Sequence, residues 1–381
     1  SFSFSSFLPS GSHSVSLSRS STMGGESAMG EAPKDGTMTE LQTDNPEIIE
    51  LTDFLVKKQK EVSGWKIEKP IGNGKTPSLS LIFDLSPGAN GVVLSVTKGS
   101  EKAVMKVALN QYASTSMEWE TSVMKHILEP KWKDDRTRHL VRMLDYGRTK
   151  NNNGEDVSFT VMEMVPGNPV TAIANEKTPS GVIDKVCEFG LQLLKALYDL
   201  HSCGLIHRDI KPENVGMYKD KLLVMYDLGM ARIFTAENGN LRTVRSYVGM
   251  RGTDEWANVD AEMGRDQSRV DDLWGFFYCL IEWCNCKSAK PLAWADYDSI
   301  PDLRHLMKTS IFPARVVLAN CPTQFFAIHF YLRSINNDVT PDYFYIAQLL
   351  KEAKSDYRRK VPHMIDPKTF LRRQRILENQ F

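Results

Sequence analysis

The stretch from Leu205 to Arg232, LIHRDIKPENVGMYKDKLLVMYDLGMAR, constrains this chain more than any other. It sets His207-Arg208-Asp209 ahead of Lys211 and Asn214, then an apolar run from Leu222 to Met225 that reads as a short buried strand, then Asp227-Leu228-Gly229. That spacing suits phosphoryl transfer. A hydroxyl attacking a γ-phosphate needs a carboxylate within hydrogen-bond reach to orient it and take its proton, and Asp209 is the candidate. Lys211 would face the transferring phosphoryl. Asn214 and Asp227 offer an amide oxygen and a carboxylate, the hard ligands that Mg²⁺ takes. The His207 imidazole is expected to pack under the loop, and the Arg208 guanidinium to clasp a carboxylate or phosphate.

The order and spacing resemble the catalytic loop and metal-binding motif of eukaryotic protein kinases, in which HRDxKxxN marks the serine/threonine type. Five residues in register followed by Asp-x-Gly stand far above a chance HRD in a loop. The resemblance implies an α+β, bilobal protein-kinase-like fold: a small antiparallel β-sheet lobe with one main helix, and a larger, mainly helical lobe. It also implies ATP and Mg²⁺ as cofactors, bound between the lobes, and protein substrates with Ser/Thr acceptors. One departure is Leu228, where most family members carry Phe; a Leu fills the same apolar slot, so packing changes more than chemistry.

At 381 residues the chain suits a two-lobed unit of roughly 300 residues with a terminal extension. Its 47 basic residues balance 47 acidic ones, so no global field points to nucleic acid or an acidic membrane surface, and neither partner is expected. The six cysteines show no paired CxxC spacing and read as reduced structural thiols; Cys284-Asn-Cys286 has no matching Cys/His pair for zinc. No apolar run approaches the roughly 20 residues needed to span a bilayer. A monomer in the cytoplasm is expected, with the nucleus as an alternative.

Residues 1–44 are rich in Ser and Gly, and they are expected to stay disordered because they cannot bury enough surface to offset ordering entropy. Residues 1–22 hold no acidic residue, as in a transit peptide, but Arg19 is their sole arginine; no methionine precedes Met23, which leaves open whether they are native coding sequence. Over 45–63, Pro46 at the first helical position, early acidic residues and late lysines predict a helix that packs on the smaller lobe. The smaller lobe is expected over 64–165, the larger over 166–365, and a basic tail over 366–381, read as a solvated face.

In the smaller lobe, Trp65-Lys-Ile-Glu-Lys-Pro-Ile-Gly72 resembles the first strand of the casein kinase 1 group. Two segments compete for the phosphate-covering turn: Gly72-Asn73-Gly74, which lacks the third glycine, and Ser86-Pro-Gly88-Ala-Asn-Gly91-Val-Val93, which replaces only the first. The second is preferred, because Val93 to Lys106 leaves room for one strand, a turn at Gly99 and the next strand. Gly88, Gly91 and Val93 are therefore the candidates over the nucleotide, and 72–85 would be an insertion. Lys106 lies in an alternating strand and matches the family's VAIK lysine, which holds the α- and β-phosphates. Its implied partner is Glu120 rather than Glu118, because Glu120 shares a helical face with Met117, Val123, Met124 and Ile127. Met162, Glu163 and Val165 resemble the residues behind and along the adenine ring, where apolar side chains and backbone polar groups suit a flat base; Val93 and Val104 would wall it from above.

In the larger lobe, Pro179 opens a helix to about Ser202, with Gly204 as a terminating glycine. Residues 230–250, with Thr243, Ser246 and Tyr247, read as an activation segment. Arg251-Gly-Thr253-Asp-Glu255-Trp-Ala-Asn258 resembles the RGTxRYAS stretch of the casein kinase 1 group, which implies that Thr253 hydrogen-bonds the catalytic carboxylate and lysine. Glu255 stands where that group often has an arginine that reads acid or phosphate on substrates, so acid-directed specificity is not carried over. Gln267-Ser-Arg-Val-Asp271-Asp272-Leu-Trp274 resembles QSRRDDLES, and Asp272 would anchor the catalytic loop backbone. The resemblance covers roughly residues 64–355 and is best to the tau-tubulin-kinase-like and vaccinia-related branches. The rival reading is a pseudokinase scaffold, motivated by the irregular glycine segment, Leu228 and Glu255; Lys106, Asp209, Lys211, Asn214 and Asp227 together weigh against it.

Overall fold

The computed structural model describes residues 45–71, 91–129, 138–219, 221–236, 238–295, 301–309 and 317–358. The expectations for 1–44, for Gly72-Asn73-Gly74, for Gly88 and for the tail at 366–381 lie outside these residues.

Asn45 caps the first helix by accepting from the Glu47 amide at 3.0 Å, and Pro46 opens it, giving α1 at Pro46–Asp53. The sequence pattern predicts one helix through Lys60. Instead Phe54–Gln59 takes a wider π-helical turn, closed by the Lys60 amide returning to Leu55 O at 2.8 Å with Lys60 in the left-handed region. Ile48, Leu51 and Leu55 are buried with Trp65, Ile67 and Val92, so this segment belongs to the core of the small lobe. The sheet also starts earlier than the expected Gly64: β1 (Glu61–Val62) pairs with β2 (Trp65–Pro70) across a tight turn at Ser63 and Gly64.

β3 (Gly91–Lys98), β4 (Glu101–Ala108), β5 (Met143–Lys150) and β6 (Asp156–Glu163) complete an antiparallel sheet of order β1-β2-β3-β4-β6-β5. The β3–β4 register sets Val93 opposite Lys106, and β4–β6 sets Val104 opposite Met162. Asn110 caps α2 (Gln111–Ile127), whose buried face carries Met117, Glu120, Val123, Met124 and Ile127. That face lies on the sheet, where Thr121 Oγ1 meets Thr160 Oγ1 at 2.8 Å.

Beyond α3 (Pro169–Ala174), the larger lobe is built on α4 (Pro179–Ser202) and α6 (Arg269–Cys284). Thr178 caps α4, and Ser268 with Asp271 forms a capping box on α6. Val186, Leu193, Leu197 and Leu200 of α4 pack with Phe276, Phe277 and Leu280 of α6, all essentially unexposed. Each such side chain contributes about 1.5–3 kcal/mol on leaving water, and a helix apolar on all sides, as α6 is, needs that enclosure. The two-residue strand β7 (Leu205–Ile206) leaves α4 and pairs with β10 (Arg232–Ile233), while β8 (Val215–Met217) pairs with β9 (Leu223–Met225). The loop at 207–214 therefore hangs between two small ladders. α5 (Val259–Glu262), α7 (Pro301–Thr309), α8 (Gln324–Ser334) and α9 (Tyr343–Arg358) surround this core. No helix among the described residues is long and apolar enough to cross a membrane.

Candidate active site

Asp209 and its neighbours form one continuous network. Thr253 Oγ1 donates to Asp209 Oδ1 at 2.8 Å and accepts from Lys211 Nζ at 2.9 Å; Lys211 Nζ also lies 3.2 Å from Asp209 Oδ2. Asn214 Nδ2 donates to Asp209 O (2.8 Å) and Oδ2 (3.1 Å). The Asp209 amide donates to His207 Nδ1 at 3.3 Å, so His207 Nε2 carries the proton that meets Tyr226 O at 3.1 Å. From α6, Asp272 accepts from the amides of His207 (2.6 Å) and Arg208 (2.7 Å) and from His201 Nε2 at 2.9 Å. Arg208 holds φ at 70° and Asp227 at 62°, left-handed conformations that cost side-chain-bearing residues about 1–3 kcal/mol each. Gly252, at φ 96°, lets the chain pass so close that a Cβ there would sit 2.4 Å from Arg208 O.

A second network spans the lobes. Lys106 Nζ meets Glu120 Oε1 at 3.1 Å and Asp227 Oδ1 at 3.3 Å, with the Lys106 and Glu120 side chains 12% and 6% exposed. Burial works to depress the Lys106 pKa, but Asp227 and Glu120 outweigh it and raise it, so the ammonium stays charged. Partial loss of water within the cleft works to raise the Asp227 pKa, yet Lys106 holds it below the ordinary carboxylate value. Glu120 thus faces Lys106, while Glu118 turns to Arg148 and to Ser158 Oγ at 2.8 Å.

Val93, Val104, Met162 and Val165 are buried in the same apolar cluster as Leu228, which is fully enclosed. The Glu163 carboxylate accepts from the Arg142 amide at 3.1 Å and the Glu163 amide donates to Arg142 O at 3.0 Å, so what Glu163 can offer a base is its carbonyl. Gly91 has a reason of its own to be glycine: a Cβ there would sit 2.2 Å from Val107 O of the paired strand.

These residues fit a Mg²⁺-nucleotide. The Asn214 amide nitrogen is spent on Asp209, which leaves its oxygen to meet a cation, and the Asp227 side chain is 37% exposed. No group of three or more His, Cys, Asp or Glu suited to a metal is assembled among the described residues. A cation here would draw its remaining ligands from phosphate oxygens and waters, as Mg²⁺ does.

The sequence pattern known to describe the protein kinase domain matches residues 82–290. The chain belongs to the protein kinase family. It is similar to a probable serine/threonine-protein kinase of Dictyostelium discoideum, 27% identical over 296 residues that cover 76% of this chain and 53% of that protein. A putative serine/threonine-protein kinase of Caenorhabditis elegans is 26% identical over 301 residues (75% and 81%), and a putative casein kinase I of the same organism is 26% identical over 247 residues (61% and 65%). The chain spans about half the length of the Dictyostelium relative.

Around this site lie residues that sequence reasoning missed. Trp119, on the face of α2 beside Glu120, donates its indole N–H to Ala231 O at 3.0 Å, tying the helix to the stretch that follows Gly229. No pattern signals a bond to a backbone carbonyl so distant in sequence. Trp119→Phe keeps a ring and deletes that bond, worth about 0.5–1.5 kcal/mol, so a several-fold loss in kcat/KM for ATP is expected in steady-state assays. Unchanged kinetics would remove Trp119 from the coupling. Asp266 is a second such residue, taking the backbone amide of Arg245 at 3.0 Å, its guanidinium at 2.8 Å, and Arg232.

Glu282, on α6 below the loop, accepts from Trp256 Nε1 at 2.8 Å, and burial followed by the Glu213 carboxylate pushes its pKa up to about 8. A raised folded pKa means that the folded chain keeps a proton that the unfolded chain loses, so Glu282 erodes stability as pH climbs from about 4.5 to about 8. Glu282→Gln should therefore raise the melting temperature at pH 8.5, by an amount equivalent to a few kcal/mol, with the gain vanishing near pH 5. Melts at the two pH values that show equal differences would contradict this.

Proposed function

We propose that this chain is an ATP-dependent serine/threonine protein kinase of the casein kinase 1 group. The observation that carries the reading is the convergence of Thr253, Lys211 and Asn214 on the Asp209 carboxylate, across the cleft from a Lys106–Glu120 pair that also reaches Asp227. Bound Mg²⁺-ATP would supply the phosphoryl group and neutralise charge on its oxygens. The chain's own residues do the rest. Asp209 orients the acceptor hydroxyl and takes its proton, aimed by Thr253 and Asn214; Lys211, held against Asp209, faces the side where negative charge develops. Lys106 holds phosphate oxygens with Glu120 fixing its ammonium, Asn214 and Asp227 supply oxygens to the cation, and the backbone of Glu163 and Val165 meets the base below Val93 and Val104. Gly88 and Gly91 belong to the cover of the phosphates in this reading. The group assignment is supported by the RGT element around Thr253, the QSR element before Asp272, and the relative named as a putative casein kinase I.

The test is Mg²⁺-ATP turnover on a generic acceptor protein, with phosphoamino-acid analysis of the product. Phosphoserine and phosphothreonine above an Asp209→Asn control are expected; a product level equal to that control would overturn the proposal.

A further inference from the structure

Thr253 can bridge Asp209 and Lys211 only if the residues after it hold their path, and 254–257 form a turn with no ladder to support it. The amides of Trp256 and Ala257 return to Thr253 O at 3.0 and 2.9 Å. The carbonyls are met by donors from elsewhere. Trp294 Nε1 donates to Glu255 O at 2.8 Å, and Lys308 Nζ donates to both Asp254 O (2.6 Å) and Ala257 O (2.8 Å). The third hydrogen of the same ammonium goes to Glu262 Oε1 of α5 at 2.6 Å, so all three donors of Lys308 are spent. Its side chain has no solvent exposure, and the rings of Tyr278 and Trp294 lie 5.4 and 5.5 Å away. One turn earlier on α7, Arg304 reaches Asp254 Oδ2 at 3.1 Å and Glu262 Oε1 at 3.3 Å.

Enclosing an ammonium is costly, and burial here pushes the Lys308 pKa down to about 8 despite Glu262. Well-packed apolar side chains in place of a buried ion pair often leave stability unchanged or improved, so stability alone gives no reason for this lysine. Geometry does. A lysine with three fixed acceptors sets the spacing between the carbonyls of Asp254 and Ala257 and the start of the next helix, which an apolar side chain cannot do.

We propose that Lys308 is a positioning residue for the acceptor side of the cleft: by pinning the carbonyls of Asp254 and Ala257 to Glu262, it fixes the turn that sets Thr253 against Asp209 and Lys211. This rests on the kinase reading above. It touches neither nucleotide nor reacting atoms and acts through Thr253.

The experiment uses the full chain with Lys308→Met, and with Glu262→Gln/Lys308→Met so that no carboxylate is left buried without its ammonium. Melting temperature, KM for Mg²⁺-ATP, acceptor kcat/KM and hydrogen exchange of 253–257 are measured side by side. The double variant leaves Asp254 O and Ala257 O without their donor, so it should melt somewhat below the wild type, yet keep KM for Mg²⁺-ATP within about twofold. Its acceptor kcat/KM should fall at least about tenfold, and exchange at Trp256 and Ala257 should quicken. Where Lys308→Met melts early, the double variant and Trp294→Phe, which deletes the donor to Glu255 O, carry the same test. Unchanged acceptor kinetics and unchanged exchange in a folded variant would overturn the proposal. So would a loss shared equally by both substrates that tracks melting temperature. A wild type that transfers nothing, with exchange still quickened in the variants, would overturn the kinase reading and leave the clamp standing.

Discussion

Asp209→Asn is expected to lower phosphoryl transfer by about 10²–10⁴-fold, the range that a positioned proton acceptor supplies, while nucleotide affinity stays within a few-fold. The asymmetry follows from where the carboxylate's bonds go. Its Oδ1 takes the Thr253 hydroxyl and its Oδ2 takes Asn214 Nδ2 and the Lys211 ammonium, all on the acceptor side, whereas Lys106, Glu120 and Asp227 form a separate network. An asparagine can still accept from Thr253 through its oxygen. Its amide nitrogen, however, would face Asn214 Nδ2 and Lys211 Nζ, three donors with no acceptor among them, and it cannot take a proton from an attacking hydroxyl. Each tenfold loss corresponds to about 1.4 kcal/mol of barrier, so the expected change is roughly 3–5 kcal/mol. Acceptor phosphorylation at saturating Mg²⁺-ATP, with calorimetric titration of the nucleotide, separates the two effects. A variant that retains more than about a tenth of wild-type transfer would dismiss Asp209 as the proton acceptor.

How legible each interaction is in the sequence depends on how far it reaches along the chain. Asp209 and Asn214 are five residues apart and bond directly, so the motif's spacing already encodes their contact. Glu120 was separable from Glu118 because helical phase is a local property and only one of the two shares the apolar face. Thr253 sits 44 residues from Asp209, and nothing but the likeness to a known family linked them. Trp119 and Lys308 were illegible for another reason. Both donate to backbone carbonyls, which every residue has, so no side-chain pattern marks the partner. In sequence, Lys308 is one more cation at the end of a short polar helix, where a favourable dipole contact is its ordinary reading. The π-helical turn at Phe54–Gln59 was hidden because the apolar spacing of a wider turn matches an α-helix over so short a stretch.

Asp272→Ala should be the most damaging single change to the fold among the residues that hold the catalytic loop. The side chain is enclosed, the residue being 2% exposed, and its two oxygens serve three donors: the amides of His207 and Arg208 and the ring of His201, whose other nitrogen meets the Tyr343 hydroxyl at 2.6 Å. Burial works to raise the Asp272 pKa, but the His201 bond and the loop amide outweigh it, so the carboxylate stays ionised. Truncation strands all three donors away from water. Removing one partner of such a buried charged arrangement costs about 3–5 kcal/mol, a large part of the roughly 5–15 kcal/mol that keeps a domain folded. The melting temperature should drop by roughly 6–20 °C. Function should fail further than stability does, because Arg208 is held in its left-handed conformation by this carboxylate, and once released it has about 1–3 kcal/mol to gain by relaxing and turning Asp209 away from Thr253 and Asn214. Transfer measured well below the variant's melting point should therefore still fall more than about tenfold, whereas Asp272→Asn, which keeps one acceptor oxygen, should lie between the two. A folded Asp272→Ala with wild-type transfer at low temperature would show that the loop keeps its shape without the anchor, and that the strain at Arg208 is balanced by other contacts.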